Sequence, residues 1–179
     1  NKFENNIVVL PARIVESKGI LEFIKAAEIL KGKAKFILCG NYDYEAKDFI
    51  SESIIKKWVR NSVIEYIGYK KDIEKLFQIS SIIVLPSYRE GFPKVLCEAA
   101  ACGIPVITSN VPGCRDAILN NVTGLLVPSK SVKELSQKIS YLLENQTILK
   151  RMSIASRKMA IEKFDINYVV QKHLEIYKI

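Results

Sequence analysis

The sequence predicts an α/β fold in which a doubly wound parallel sheet is covered by helices. Short apolar segments rich in β-branched residues, such as 7–10 and 82–85, alternate with longer amphipathic segments, such as 18–31. Strands without a polar face are typical of a parallel sheet that is buried on both sides. The chain has 179 residues, 49% of them hydrophobic, which is enough for one domain with a single core.

The first half of the chain contains three predicted pairs of strand and helix. Apolar runs predict the strands at 7–10, 36–40 and 63–66. Segments with helical spacing follow them at 18–31, 44–59 and 72–78. The first of these helices has its apolar residues on one side: Ile20, Phe23, Ile24, Ala27 and Leu30.

The middle of the chain predicts a sharp change from strand to helix. The fully apolar strand 82–85 is ended by Pro86. Pro93 can occupy the first position of the next helix, where its missing N–H costs nothing. Good helix formers continue to residue 102, and Gly103 is placed to cap the end.

The last third of the chain begins with two short strands and ends with helices. Strands are predicted at 106–107 and 124–127, with a helix at 114–119 between them. The final helices are predicted at 132–144, 147–163 and 166–177. Their polar composition predicts that they lie outside the sheet.

Cysteine and histidine usage argues against a metal centre. The four cysteines show no CxxC spacing, and His173 is the single histidine, so we expect no zinc site. Free, mostly buried thiols indicate a reducing cytosol. The polar start of the chain does not resemble a signal peptide, and no apolar run approaches membrane-spanning length.

The net charge of +8 allows three explanations. Nucleic-acid binding is disfavoured, because the basic residues are scattered and no aromatic-interleaved stripe accompanies them. Lysine-rich genome composition is one remaining explanation. Attraction to an anionic membrane surface is the other.

Two carboxylates bracket the turn from strand to helix. Glu90 lies in the loop, and Glu98 lies about a turn and a half into the helix. The N–H groups at Gly91, Phe92 and the first helical turn point beyond the carboxyl end of the strand, where doubly wound sheets bind ligands. A ligand with hydroxyl groups at both ends and phosphate between them, such as a nucleotide sugar, suits this arrangement.

The stretch Glu-Gly-Phe-Pro-x-x-x-x-Glu-Ala at 90–99 resembles the nucleotide-sugar signature of retaining glycosyltransferases of family 4, also called glycosyltransferase group 1. Segments 11–20 and 113–128 resemble two further segments of that family, in the same order. The resemblance implies a GT-B fold of two facing Rossmann-like domains. It makes residues 1–179 the C-terminal, donor-binding half. The chain begins at Asn1 rather than Met, so we expect the N-terminal acceptor domain to lie outside it.

The resemblance also implies roles for four charged residues. Arg13 and Lys18 meet the donor diphosphate and stabilise the leaving nucleoside diphosphate. Glu90 accepts hydrogen bonds from sugar hydroxyl groups, and Glu98 holds the ribose hydroxyl groups. The residues alone allow a simpler reading, in which Arg13 and Lys18 are a solvated surface pair and Glu98 pairs with Lys94.

The remaining implied contacts surround the diphosphate and the nucleoside. Backbone groups of residues 91–94 approach the phosphate and the sugar. A leucine lies near the nucleoside, and a Gly-Tyr pair lies near the base. These implied donor-binding residues are Gly68, Tyr69, Gly91, Phe92, Pro93, Lys94 and Leu96.

The implied function is sugar transfer from a UDP-sugar to a glycan or polyisoprenyl-linked acceptor. Uracil is the expected base of the donor nucleotide, and guanine is the second candidate. Neither metal nor another cofactor is expected, because no Asp-x-Asp pattern is present to hold a cation. The GxGxxG pattern of nicotinamide-dependent Rossmann enzymes and the GxxxxGK[ST] pattern of phosphate-loop NTPases are absent, which argues against both classes. An epimerase or phosphorylase of the same fold, and a binding-only module, remain alternatives. The expected location is the cytoplasm, in peripheral contact with the inner face of the membrane.

Overall fold

A computed structural model describes residue 3 and residues 5–177 of the chain. Asn1, Lys2 and Glu4 of the polar N-terminal stretch lie outside the described residues. The strands are β1 (Ile7–Pro11), β2 (Lys35–Cys39), β3 (Glu65–Tyr66), β4 (Ile82–Leu85), β5 (Val106–Ser109) and β6 (Gly124–Val127). The helices are α1 (Ile20–Ile29), α2 (Glu52–Arg60), α3 (Ile73–Ile79), α4 (Lys94–Ala101), α5 (Pro112–Asp116), α6 (Val132–Glu144), α7 (Gln146–Lys163) and α8 (Ile166–Tyr177).

The strands form one parallel sheet in the order β3-β2-β1-β4-β5-β6, which confirms the predicted fold class. The chain runs outward from β1 to β3 and then returns to the centre, where β4 pairs with β1 through Val8 and Ile82. The strand order therefore reverses between β1 and β4. In doubly wound sheets, ligands bind beyond the carboxyl ends of the strands at this point.

Two apolar layers cover the sheet, because successive side chains of a strand point to opposite faces. Val8 and Leu10 belong to the layer packed against α1 and α6. Val9 belongs to the other layer, which includes Phe77 of α3 and Leu96 of α4. All three strand residues are fully buried. The central strands are therefore rigid supports for the loops that follow them.

The predicted helix at 44–59 is wrong in its first half, because α2 begins only at Glu52. The preceding residues form a loop that lies on the segment after β1. Bridges pair Ile14 with Tyr42 and Val15 with Phe49, and Ile50 donates its N–H to the Ile14 carbonyl. These long-range backbone bonds replace the ones that a helix would have formed.

Three further helix boundaries differ from the predictions. A single 3-10 turn at Glu16–Lys18 precedes α1, and Gly19, with φ of 71°, separates the two. Pro93 is the N-cap of α4 and not its first helical residue. The helix predicted at 114–119 lies at Pro112–Asp116, with the proline at its start.

The last three helices differ in how they pack, which corrects the prediction that all lie outside the sheet. Helix α6 packs against α1 and the sheet, and it buries Leu135, Ile139 and Leu142. Helix α7 packs mainly on α4, and α8 buries no side chain. Within the described residues, no helix is long and apolar enough to cross a membrane.

Candidate functional site

Two cavities lie side by side at the carboxyl edge of the sheet. The first cavity has a volume of about 480 Å³ and is called the β2 cavity here, because it lies beyond the end of β2. The loops after β1 and β3 and helix α4 also line it. The second, here the β4 cavity, has a volume of about 470 Å³ and lies between the loops after β1 and β4. Arg13 lines both cavities, so a ligand that spans them must pass this side chain.

An ion pair that the sequence did not predict joins two of the candidate residues in the β4 cavity. Lys18 Nζ lies 2.5 Å from Glu90 Oε1, and the Ser87 hydroxyl donates to the same oxygen at 2.7 Å. The two charged side chains are only 20% and 11% exposed. Glu90 Oε2 is the carboxylate oxygen that these two bonds leave for other donors. Because both side chains are largely buried, loss of either charge would leave the other charge without compensation.

Arg13 and Lys18, which the sequence groups as one cationic pair, both line the β4 cavity, and each has an acidic partner of its own. Nη1 of Arg13 lies 2.5 Å from Oδ2 of Asp43, in the loop after β2. The arginine side chain is 63% exposed, whereas the aspartate is 23% exposed. Sequence reasoning missed Asp43, because the two residues are thirty positions apart and Asp43 precedes a segment interpreted as helix.

Asp48 is a second acid that the sequence reasoning missed. It lines the β4 cavity, and its Oδ2 accepts the N–H of Ser17 at 2.9 Å. Hydrogen bonds from the side chain and the N–H of Ser17 lower the pKa of Asp48, and the nearby charge of Arg89 adds a smaller effect in the same direction. A carboxylate is therefore present at the edge of this cavity at neutral pH.

The loop that carries Glu90 packs against the start of α5 without space for another atom. A Cβ added to Gly113 would lie 1.8 Å from the Gly91 carbonyl oxygen and 2.7 Å from that of Glu90. The first helical residues after β5 therefore approach the loop after β4 at backbone distance. Glycine is required at position 113 for this close packing. The contact between Gly113 and the carbonyl groups of Gly91 and Glu90 supports the loop that carries Glu90.

The start of α4 is available to an anion. Pro93 is the N-cap, and no side chain caps the first N–H groups of the helix. Gly91, Phe92 and Lys94 are exposed, whereas Pro93 is buried. The N-terminus of an uncapped helix is favourable for phosphate, because its N–H groups and dipole both attract negative charge.

Glu98 lines the β2 cavity and is exposed. Among the described residues, its carboxylate accepts no side-chain hydrogen bond, and Lys94 does not pair with it. The cavity wall beside it contains Val95 and the 65% exposed Tyr69. Glu98 can therefore accept hydrogen bonds from a ligand without losing any within the protein.

Two of the residues predicted to lie near the nucleoside, Leu96 and Gly68, do not line the β2 cavity. Leu96 is fully buried in the core beneath α4, so it cannot reach the cavity. Val95 and Glu98 are three positions apart and share the helix face that lines the cavity. Gly68 has a φ of 65°, and its carbonyl accepts the N–H of Gly40 at 3.0 Å, so it shapes the loop that carries Tyr69.

A group of tyrosines at the rim of the β2 cavity was also missed. The rings of Tyr42 and Tyr66 meet edge to face at 5.3 Å, and Tyr44 stacks on Tyr42 at 5.8 Å. The Tyr66 hydroxyl donates to the Gly40 carbonyl at 2.9 Å. Burial raises the pKa of Tyr42 to about 12, so it is a neutral wall at physiological pH.

The described residues contain no group of three or more His, Cys, Asp or Glu side chains that could hold a metal ion. The four cysteines are free thiols, and Cys39 and Cys114 are buried.

The sequence profile described as "Glycosyl transferases group 1" matches residues 1–159. This chain belongs to the group 1 glycosyl transferases. A relative from Campylobacter jejuni, named N,N'-diacetylbacillosaminyl-diphospho-undecaprenol alpha-1,3-N-acetylgalactosaminyltransferase, is 37% identical over 171 residues. That match covers 96% of this chain and 44% of the relative.

Two solved structures share the fold. A glycosyltransferase from Rickettsia africae has a TM-score of 0.86 and 29% identity, and the match covers 96% of this chain and 47% of that one. HepE from Anabaena, solved in complex with UDP, has a TM-score of 0.89 and 22% identity, with 97% and 49% covered. The chain thus spans about half the length of these proteins.

Proposed function

We propose that this chain is the donor-binding half of a retaining glycosyltransferase of family 4, with a UDP-sugar as its ligand. The observation that carries the proposal is the position of Arg13, which lies where the β2 and β4 cavities meet. A nucleoside in one cavity and a sugar in the other would place the diphosphate beside Arg13 and the uncapped start of α4. UDP in the related HepE structure supports the choice of nucleotide.

The nucleoside half of the ligand fits the β2 cavity. Glu98 offers a carboxylate without a protein partner, and the two ribose hydroxyl groups are donors that it can accept. Tyr69 and Tyr42 line the cavity with aromatic surface. A base bound here would be held by packing, while Glu98 fixes the orientation of the ribose.

The sugar half of the ligand fits the β4 cavity. Glu90 Oε1 is held by Lys18 and Ser87, which fixes the carboxylate so that Oε2 can accept a sugar hydroxyl. Lys18 contributes positive charge beside the diphosphate. As the bond between sugar and phosphate breaks, negative charge grows on the leaving UDP, and Arg13, Lys18 and the α4 N-terminus stabilise it.

Transfer also requires an acceptor site that one open edge of a sheet does not supply. A reacting hydroxyl must be held close to the sugar, and water must be kept out. We propose that an N-terminal domain contributes this site, because the relatives are about twice as long as this chain. The name of the Campylobacter relative, which contains a diphospho-undecaprenol, supports a polyisoprenyl-linked acceptor. We propose that the protein works in the cytoplasm, at the inner face of the membrane that carries this acceptor. On this proposal, residues 1–179 alone bind donor but transfer no sugar.

An epimerase or phosphorylase of the same fold, and a binding-only module, are the competing functions. The family assignment favours the transferase, because the matched profile is that of glycosyl transferases. Incubation of a longer protein that includes the upstream domain with UDP-sugar and acceptor distinguishes the transferase from the epimerase and from the binding-only module. Transfer supports the proposal, a new UDP-sugar isomer indicates an epimerase, and binding without turnover indicates a binding module.

Calorimetric titration of residues 1–179 with UDP, UDP-glucose and UDP-N-acetylgalactosamine tests the donor site directly. We expect binding that persists when EDTA is added, since Arg13, Lys18 and the α4 N-terminus supply the positive charge. Loss of binding in EDTA would contradict metal-independent recognition. Absence of binding under both conditions would contradict the donor site itself.

A further inference from the structure

The loop between β2 and α2 is fixed onto the loop after β1 by backbone hydrogen bonds. Ile14 donates to the Asn41 carbonyl at 2.9 Å, and Glu16 donates to the Asp48 carbonyl at 2.8 Å. Asp48 also accepts the N–H of Ser17 through its side chain. Bonds at both ends hold the loop close to the segment that carries Arg13.

This loop carries Asp43 to the point where the two cavities meet. Asp43 lines the β2 cavity and pairs with Arg13, which lines both cavities. A diphosphate between the cavities would compete with Asp43 for the same guanidinium group. The arginine side chain is 63% exposed, so its ion pair is screened by water and can be exchanged at little cost.

Charged side chains of both signs surround the diphosphate position before any ligand binds. Three cationic and three acidic side chains line the β4 cavity and the junction: Arg13, Lys18 and Arg89, and Asp43, Asp48 and Glu90. Glu90 has a role toward the sugar, and Asp48 holds the loop through Ser17. Asp43 has Arg13 as its only side-chain partner within the described residues.

We propose that Asp43 is an internal counter-ion that the donor diphosphate displaces from Arg13. The inference rests on the proposed function. Asp43 repels a bound nucleoside diphosphate and therefore lowers its affinity, by an amount that grows with the number of phosphate charges. Such a residue prevents tight binding of the UDP product, and it re-forms the ion pair with Arg13 when UDP leaves.

The variant Asp43→Asn tests the charge alone, because asparagine retains an oxygen that accepts from Arg13. Titration with uridine, UMP and UDP provides a series of increasing negative charge. We expect unchanged uridine affinity, a small gain for UMP and about tenfold tighter binding of UDP, the size expected for one partly screened charge. Asp43→Glu retains the charge and should show no gain.

The matched control is Glu144→Gln, which removes one acid from the exposed Lys33–Glu144 pair. Lys33 precedes β2, so this pair lies at the opposite edge of the sheet, and UDP affinity should stay unchanged. Equal gains for uridine and UDP in Asp43→Asn, or unchanged or weaker UDP binding, would overturn the counter-ion role. Failure of the unaltered chain to bind UDP would overturn the proposed function, and the counter-ion role with it.

Discussion

The β2 and β4 cavities are neighbours, but their charged groups are satisfied in different ways. In the β4 cavity, Glu90 is paired with Lys18, and Asp48 accepts hydrogen bonds from Ser17. In the β2 cavity, Glu98 has no side-chain partner among the described residues. The carboxylates of the β4 cavity therefore have partners without ligand, whereas the carboxylate of Glu98 in the β2 cavity has none.

This difference determines what each carboxylate contributes. Removal of a group from a paired, partly buried set leaves its partner without compensation, so folding stability suffers. Removal of an exposed and unpaired carboxylate changes folding stability little and lowers only the affinity for the ligand that the carboxylate would bind. Substitutions in the β4 cavity should thus affect stability, and substitution of Glu98 should affect binding alone.

The largest expected effect is that of Lys18→Met, which keeps the length of the side chain and removes the charge. Glu90, only 11% exposed, would lose its ionic partner. We expect the free energy of unfolding to fall by about 3 kcal/mol, measured by urea denaturation. Binding of UDP and UDP-sugar should weaken as well, because a charge beside the diphosphate is lost.

The control for this substitution is Lys172→Met, which breaks the exposed Lys172–Glu175 pair on α8. Both of these side chains are about half exposed, so the loss should lie within about 0.5 kcal/mol. Equal losses for the two lysines would show that the Lys18–Glu90 pair is no more important to the fold than a surface pair.

The second prediction separates the two glutamates. Glu98→Ala should weaken UDP binding by about 1.5–3 kcal/mol, the usual range for hydrogen bonds to a charged group, and leave stability unchanged. Glu90→Ala should spare UDP and weaken UDP-sugar, because its free oxygen faces the sugar. Calorimetry with both ligands provides the measurement. If both substitutions weaken UDP equally, the assigned division of roles is wrong.

The sheet was predictable because each strand is specified by its own residues. β4 is a run of four apolar residues that are all buried, and the local pattern needs no distant information. The same holds for α6, whose predicted bounds, Val132–Glu144, are those observed. A continuous apolar run indicated β4, which is buried on both faces, and helical periodicity indicated α6, whose buried residues lie on one face.

The loop after β2 was not predictable, because its conformation depends on residues far away in sequence. Backbone bonds to Ile14 and Glu16 hold it, and no local pattern reports them. The ion partners of Arg13 and Lys18 were missed for the same reason. The resemblance gives Leu96 only a position in the chain, while the face of α4 decides that its side chain lies in the core; its contact with the nucleoside stays a prediction.

The last prediction tests whether the β4 cavity can be disturbed without the β2 cavity. A Cβ at residue 113 would meet the Gly91 carbonyl oxygen at 1.8 Å, so Gly113→Ala must push the loop that carries Glu90. We expect a stability loss of about 1–2 kcal/mol, as for an overpacked site. UDP-sugar should bind more weakly while UDP binding persists, because Glu98 lies on the separately supported α4.

Gly91→Ala is the matched control, because it adds the same methyl group on the other side of the same contact. No atom lies within 4 Å of a Cβ at Gly91, so stability should change by less than about 0.5 kcal/mol. The two alanine variants have the same composition, and only the direction of the added methyl group differs. If Gly113→Ala and Gly91→Ala are equally stable in urea, α5 must shift to make room for the methyl group without moving the loop. Gly113 would then not position Glu90. A parallel loss of UDP and UDP-sugar binding in Gly113→Ala would show instead that the two cavities behave as one site.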